Sequence, residues 1–230
     1  MKNRADRVAI VSWHDIHCES LDPSFVLSAS DCLSNLSMSG LAFKKEKVLK
    51  TPDIGSQVKV RLAIKGQSLE LQLKVVRIND IVVGVTFEKP SLSVLGILKN
   101  YFLVEVAAMR MSPVASHVLK ASDKGHPHWF EGEKQASLYY IEQNREIREF
   151  QLSFLEHVVE YTENNELKFG KRVIDFKSKA FETSRSPEWE KFWTRDTVEI
   201  ARRFVDSIPK LGEAERSFLN KILTKIPTSN

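Results

Sequence analysis

The sequence predicts a mainly β N-terminal half, a small antiparallel barrel closed by a helix, followed by a C-terminal α+β domain. Three observations carry this. Residues 58–75 alternate apolar and polar side chains with a period of two on either side of a turn. After Lys89-Pro90 the apolar spacing changes to that of a helix. A stretch holding Pro113, Ser116, Ser122, Asp123, Gly125 and Pro127 then separates this half from a second, aromatic-rich one. The expected domains are 1–111 and 128–230, with 112–127 as the linker, and a chain of 230 residues has room for both.

Taken in order, residues 8–13 and 34–43 are strand candidates, and Thr51-Pro52-Asp53-Ile54-Gly55 is turn chemistry. Val58, Val60, Leu62 and Ile64 alternate with Lys59, Arg61 and Ala63. A turn at Lys65-Gly66-Gln67 leads to Leu69, Leu71, Leu73 and Val75, which alternate with Glu70, Gln72 and Lys74. After Asn79-Asp80, Ile81, Val83, Val85 and Phe87 form another strand. Ser91 is the expected N-cap of a helix whose one face carries Leu92, Leu95, Leu98, Phe102 and Met109. In the second half, 137–142, 147–161 and 167–174 are strand candidates. Ser186-Pro187-Glu188 is expected to open a helix running to about Ser207, stopped by Pro209, and a second helix covers about 213–225. On the first of these, Trp189, Trp193, Ile200 and Phe204 form a stripe that belongs to a core.

Composition narrows the class. Hydrophobic residues make up 42% and charged residues 28%, as in a folded soluble chain rather than a disordered one. Net charge is +4, unevenly spread: residues 1–125 hold 17 Lys/Arg against 12 Asp/Glu, net +5, and 126–230 hold 17 against 18, net −1. An anionic partner therefore meets the first half. Nucleic acid is not expected, since no strand interleaves aromatic with basic residues. Cys18 and Cys32 are too few for a disulfide framework, which suits a reduced, cytoplasmic setting. The apolar run 8–11 is too short for a signal peptide, and 94–109 is interrupted by Lys99, Asn100 and Glu105, so no membrane insertion is expected.

Nothing points to an enzyme. There is no Gly-x-Ser-x-Gly elbow, phosphate-binding glycine loop or dinucleotide fingerprint. His14-Asp15-Ile16-His17-Cys18 has metal-capable residues, but no second pair stands at a zinc spacing, so these read as loop residues. His126-Pro127-His128 has no obvious carboxylate or cysteine partner and reads as linker. Glu156 and His157 are strand neighbours facing opposite sides, a poor acid–base pair. The expectation is no catalytic residue, no metal and no cofactor.

The informative segment is Asn35-Leu36-Ser37-Met38-Ser39-Gly40-Leu41-Ala42-Phe43. Leu36 and Met38 point to one side of a strand, and Asn35, Ser37 and Ser39 to the other. At Gly40 the apolar parity changes to Leu41 and Phe43, the mark of a β-bulge or of close backbone approach. A row of small polar groups beside such a kink can hydrogen-bond the edge of a heterocycle without obstruction; it also suits a plain outer strand face.

On these residues the first half, about 1–110, resembles the PilZ family, bacterial domains that bind the second messenger cyclic di-GMP. The family pattern Asp/Asn-x-Ser-x-x-Gly is met by Asn35, Ser37 and Gly40. The family's second signature, Arg-x-x-x-Arg ahead of the first strand, holds ligand phosphates and guanine edges, which suits the guanidinium fork. Here Arg4-Ala5-Asp6-Arg7 has a spacing of three. In extended chain, side chains three apart oppose each other, so a shared grip requires a bend, and Asp6 weakens the local field. The resemblance implies a bacterial, non-catalytic effector. Arg4, Arg7, Asn35, Ser37, Ser39 and Gly40 would hold cyclic di-GMP, and an unidentified protein partner would receive the signal. The alternative is a degenerate scaffold of the same fold that acts through protein contacts alone.

Overall fold

Alternating side chains build most of this molecule. The structure, a computed structural model, describes residues 7–10, 14–28, 31–120, 122–164, 166–172, 187–191 and 193–224. The chain divides into two compact units, 1–102 and 103–230. The break falls between Phe102 and Leu103, nine residues before the boundary read from sequence at Met111.

The first unit contains β1 (Arg7–Ala9), β2 (Ile16–Ser20), β3 (Val26–Leu27), β4 (Leu33–Ser37), β5 (Gly40–Lys44), β6 (Val48–Lys50), β7 (Gln57–Ile64), β8 (Gln67–Ile78), β9 (Val82–Phe87) and α1 (Leu92–Tyr101). Seven of the strands form one antiparallel sheet in the order β1-β4-β5-β9-β8-β7-β2, while β3 and β6 pair separately. The β7–β8 hairpin follows the alternation closely. Val58, Val60, Leu62 and Ile64 are buried, as are Leu69, Leu71, Leu73 and Val75, and the turn is the two-residue Lys65–Gly66 with both φ positive. The sheet curls into a half-barrel, with β1 at one edge and β2 at the other. Ser91 caps α1 by accepting from the Val94 amide. The helix ends at Tyr101, and Leu98, Tyr101 and Phe102 are buried while Leu92 is exposed, so the long apolar face read over 92–109 is broken at Phe102.

The second unit contains α2 (Leu103–Met109), β10 (Ser112–Pro113), β11 (His126–Glu131), β12 (Ser137–Gln143), β13 (Glu146–Phe154), β14 (His157–Tyr161), β15 (Leu167–Lys171), β16 (Glu188–Glu190), α3 (Arg195–Ser207) and α4 (Glu213–Leu223). Its seven strands run as a meander in chain order. Aromatic residues fill its core: Phe150, Phe154, Phe169, Trp193 and Phe204 are buried, and Phe154 stacks on Phe204 at 4.6 Å. Beside them Glu105 of α2 and Arg203 of α3 form a buried ion pair.

Three elements depart from the sequence reading. The segment 112–127 is partly sheet: β10 pairs with β11, and β11 begins at His126. The strand expected over 147–161 is a hairpin, turned at Leu155 with φ 51°. The helix expected from Ser186 begins at Arg195, capped by the Thr194 hydroxyl. Glu188–Glu190 instead pairs with β15, with Trp189 opposite Gly170, so sheet pairing overrides the Pro187-Glu188 helix signal, and Trp189 and Trp193 share no helix face. Ser186 and Phe192 lie outside the described residues. The ends of α3 at Ser207 and the start of α4 at Glu213 stand as read.

Candidate functional site

Strands β4 and β5 shape the site. The expected single strand 34–43 with a bulge at Gly40 is instead a hairpin whose two-residue turn is Met38–Ser39, with Ser37 opposite Gly40. The change of apolar parity at Gly40 thus marks a new strand. The bulge lies elsewhere, at Ser34, where the β4–β5 register shifts between Leu33 and Asn35. That extra residue lets Leu33 and Leu36, three apart, both point into the core. Met38, expected beside Leu36, is 38% exposed at the turn.

With the register fixed, the outer face follows. Paired residues of an antiparallel ladder share a face. Arg7 stands opposite Ser37, Ser37 opposite Gly40, Gly40 opposite Thr86, and Thr86 opposite Lys74. The next outward row is Ala9, Asn35, Ala42, Gly84 and Arg77. Between them lies the inward row of Val8, Leu36, Leu41, Val85 and Val75, all buried. The outer face is therefore a shallow tray. Its floor is small (Gly40, Ala42, Gly84), Asn35, Ser37 and Thr86 supply polar atoms, and cations stand at both sides: Arg7 on β1, Lys74 and Arg77 on β8. Neither row contains a carboxylate. Among the described residues none of the three cations is ion-paired, whereas several other cations of this unit are engaged. Arg61 is held by Glu19 and Glu70, and Lys44 and Lys47 lie near Asp31. Lys45 donates to Thr51, and Lys50 to the Pro23 carbonyl. The lysine cluster 44–50 is thus engaged within the fold.

The motif residues have separable roles. The Ser37 hydroxyl donates to the Gly40 carbonyl at 3.0 Å and accepts from the Ser39 amide at 3.3 Å, so it fastens the hairpin turn. The Ser39 carbonyl accepts from Thr86 Oγ1 at 2.8 Å and from the Phe87 amide at 3.0 Å, tying the turn to β9. The exposed Ser39 hydroxyl lies 3.2 Å from Ser37 Oγ. A Cβ on Gly40 would strike the Val85 carbonyl oxygen and lie 2.8 Å from Thr86 Cα, so this position admits only glycine because β9 passes so close. Asn35 makes no side-chain hydrogen bond among the described residues, which leaves its amide available on the tray.

Residues 6–103 match the family model of the PilZ domain. The N-terminal unit carries a PilZ domain. Two solved structures resemble this part of the chain. The PilZ domain of CeSA from a cellulose-synthesizing bacterium is 18% identical, with a TM-score of 0.34, covering 44% of this chain and 99% of that one. An uncharacterized Legionella protein is 17% identical, with a TM-score of 0.30, covering 44% and 91%. No curated protein matches the chain. The PilZ match ends at residue 103, so the second unit's sheet lies outside it.

Of the residues selected from sequence, the PilZ fold brings Arg7, Asn35, Ser37 and Gly40 onto one face, with Ser39 at the adjoining turn; Arg4 lies outside the described residues. Sequence reasoning placed Lys74 on a polar strand face but missed Arg77. A second bulge, between Val75 and Arg77 on β8, moves Arg77 outward and leaves Val76 exposed. An alternating count from Val75 puts Arg77 inside; only the adjacent apolar pair Val75-Val76 signals the slip. The other clusters do not assemble. His14 is buried against Tyr101 and Phe102, while His17 is exposed beside Asp15. His128, read as linker, sits on β11 stacked on Tyr140, its Nε2 3.3 Å from Glu142. Among the described residues no group of three His, Cys, Asp or Glu could hold a metal ion. No single helix among them is long and apolar enough to cross a membrane.

Proposed function

We propose that the N-terminal PilZ domain binds cyclic di-GMP on the outer face of β4, β5 and β9, without making or breaking bonds, and passes its ligand state to a protein partner. The observation that carries this reading is the register. It sets Arg7 opposite Ser37, with Asn35 on the same face and Lys74 and Arg77 across a floor of small residues. The ligand is a dianion with two guanine rings. A guanidinium clasps phosphate through two parallel N–H donors and stacks on a purine face, which suits Arg7 and Arg77. Lys74 adds a point charge. The Asn35 amide can both donate to and accept from a guanine edge, and the Ser39 hydroxyl can join it. Ala42 and Gly84 put no bulky side chain on the floor beneath a flat ring. Arg4, three residues ahead of Arg7, is assigned to the second phosphate.

The test is a calorimetric titration of the full chain with cyclic di-GMP, with cyclic AMP and GTP as controls. Saturable binding of cyclic di-GMP alone, with a Kd of about 1 μM or tighter, is the expected result. Arg7→Ala and Arg77→Ala should each weaken it about tenfold or more. Absence of binding at millimolar ligand would assign the domain to the scaffold alternative, acting through protein contacts only.

A further inference from the structure

The two cysteines meet where the curled sheet comes round on itself. Cys18 lies on β2, one edge of the seven-stranded sheet, and Cys32 immediately precedes β4, the strand next to the opposite edge. Among the described residues no strand pairing joins these edges. The Cys32 thiol instead donates across the seam to the Cys18 carbonyl at 3.6 Å. Both side chains are buried, at 4% and 0% exposure, and both are free thiols. Each is held from its own side. Cys18 pairs with Leu62 of β7, and the Cys32 carbonyl accepts from the Lys44 amide at 2.8 Å, beside Asp31 and its lysines. Each thiol also acts on the other's titration: Cys32, together with burial, pushes the Cys18 thiol well above its ordinary range, and Cys18 lowers that of Cys32. Cys18 lines a groove of about 780 Å³ between β2 and the 21–28 segment, with Phe25 and Arg61, while Cys32 lies fully buried outside that lining.

We propose that Cys18 and Cys32 form a peroxide-oxidisable dithiol whose disulfide closes the seam of the N-terminal half-barrel. The reaction balances with hydrogen peroxide as the oxidant. The O–O bond breaks, the Cys18 Sγ–Cys32 Sγ bond forms, both thiol protons and two electrons pass to the peroxide oxygens, and two waters leave. The product encloses residues 18–32 in a covalent ring and fixes the start of β4 to the far edge of the sheet. Because the cross-link restricts the unfolded chain, the oxidised domain melts at a higher temperature than the reduced one. The proposal is independent of nucleotide binding.

The test exposes the folded, full-length chain, freed of reductant, to hydrogen peroxide, then measures intact mass, free thiols and protease-derived peptides under denaturing conditions. The expected result is a monomer lighter by two hydrogens, with no free thiol and with Cys18 and Cys32 peptides joined, reversed by a thiol reductant. Cys18→Ala and Cys32→Ala should each lose no hydrogens. The wild-type peptide map decides the question even if a variant fails to fold. Three results overturn the proposal: both thiols surviving a peroxide dose that oxidises the urea-unfolded chain, oxygen addition in place of hydrogen loss, or cross-linking only between molecules.

Discussion

At the residue scale, the motif positions divide between fastening the hairpin turn and facing outward on the tray. Ser37 builds: its hydroxyl makes two hydrogen bonds inside the Met38–Ser39 turn. Asn35 faces outward, with no side-chain partner among the described residues. The two should therefore separate experimentally. Ser37→Ala should cost about 1–2 kcal/mol of stability, the usual worth of one or two lost hydrogen bonds. Asn35→Ala should change stability by less than ~0.5 kcal/mol, yet weaken cyclic di-GMP binding about tenfold, equivalent to ~1.4 kcal/mol. Urea unfolding midpoints and calorimetric titrations of the two variants check this. Equal loss of stability in both would contradict the division. The identity of these residues was legible in the sequence because Asn35, Ser37 and Gly40 stand at the family's fixed positions. Their division of labour was not, because it depends on which hydrogen bonds the turn uses.

At the scale of the element, the β4–β5 hairpin depends on how closely β9 approaches Gly40. Gly40→Ala places a methyl group against the Val85 carbonyl and Thr86 Cα, both backbone atoms that cannot swing aside. The expected cost is roughly 2–3 kcal/mol, the range for overpacking a tight contact. Urea unfolding measures it, and an unchanged midpoint would show that β5 and β9 separate easily. Alternation made the β7–β8 hairpin legible, since its eight inward residues recur at every second position, from Val58 to Ile64 and, after the turn, from Leu69 to Val75. It failed wherever a residue is inserted. Ser34 and Val76 each reset the count, and the second bulge hid Arg77 from the sequence reading. It also failed at Glu188–Glu190, where pairing with β15 overcomes a local helix signal that is worth only about 1 kcal/mol.

At the scale of the whole molecule, the two units rest on different kinds of core. The N-terminal core is mainly aliphatic and set by strand alternation, with Phe25 packed edge-on against Phe43. The C-terminal core is aromatic and encloses the ion pair of Glu105, fully buried, with Arg203, 2% exposed. Removing the carboxylate takes a buried countercharge away from Arg203, so Glu105→Ala should destabilise the chain by about 3–5 kcal/mol. Urea unfolding followed at the tryptophans, of which Trp129, Trp189 and Trp193 lie in the second unit, reads this directly. A loss below ~1 kcal/mol would mean that Arg203 readily finds another partner or reaches water. The charge asymmetry was visible from composition, with net +5 over 1–125 and −1 over 126–230. The unpaired cations of the tray give that surplus a location. We propose that this tray is a working nucleotide site despite an arginine spacing of three. Calorimetric titration of the full chain with cyclic di-GMP tests it most directly. Saturable binding at a Kd of about 1 μM or below, weakened by Arg7→Ala, is the expected result; no heat at millimolar ligand, with an unchanged melting temperature, would rule the site out.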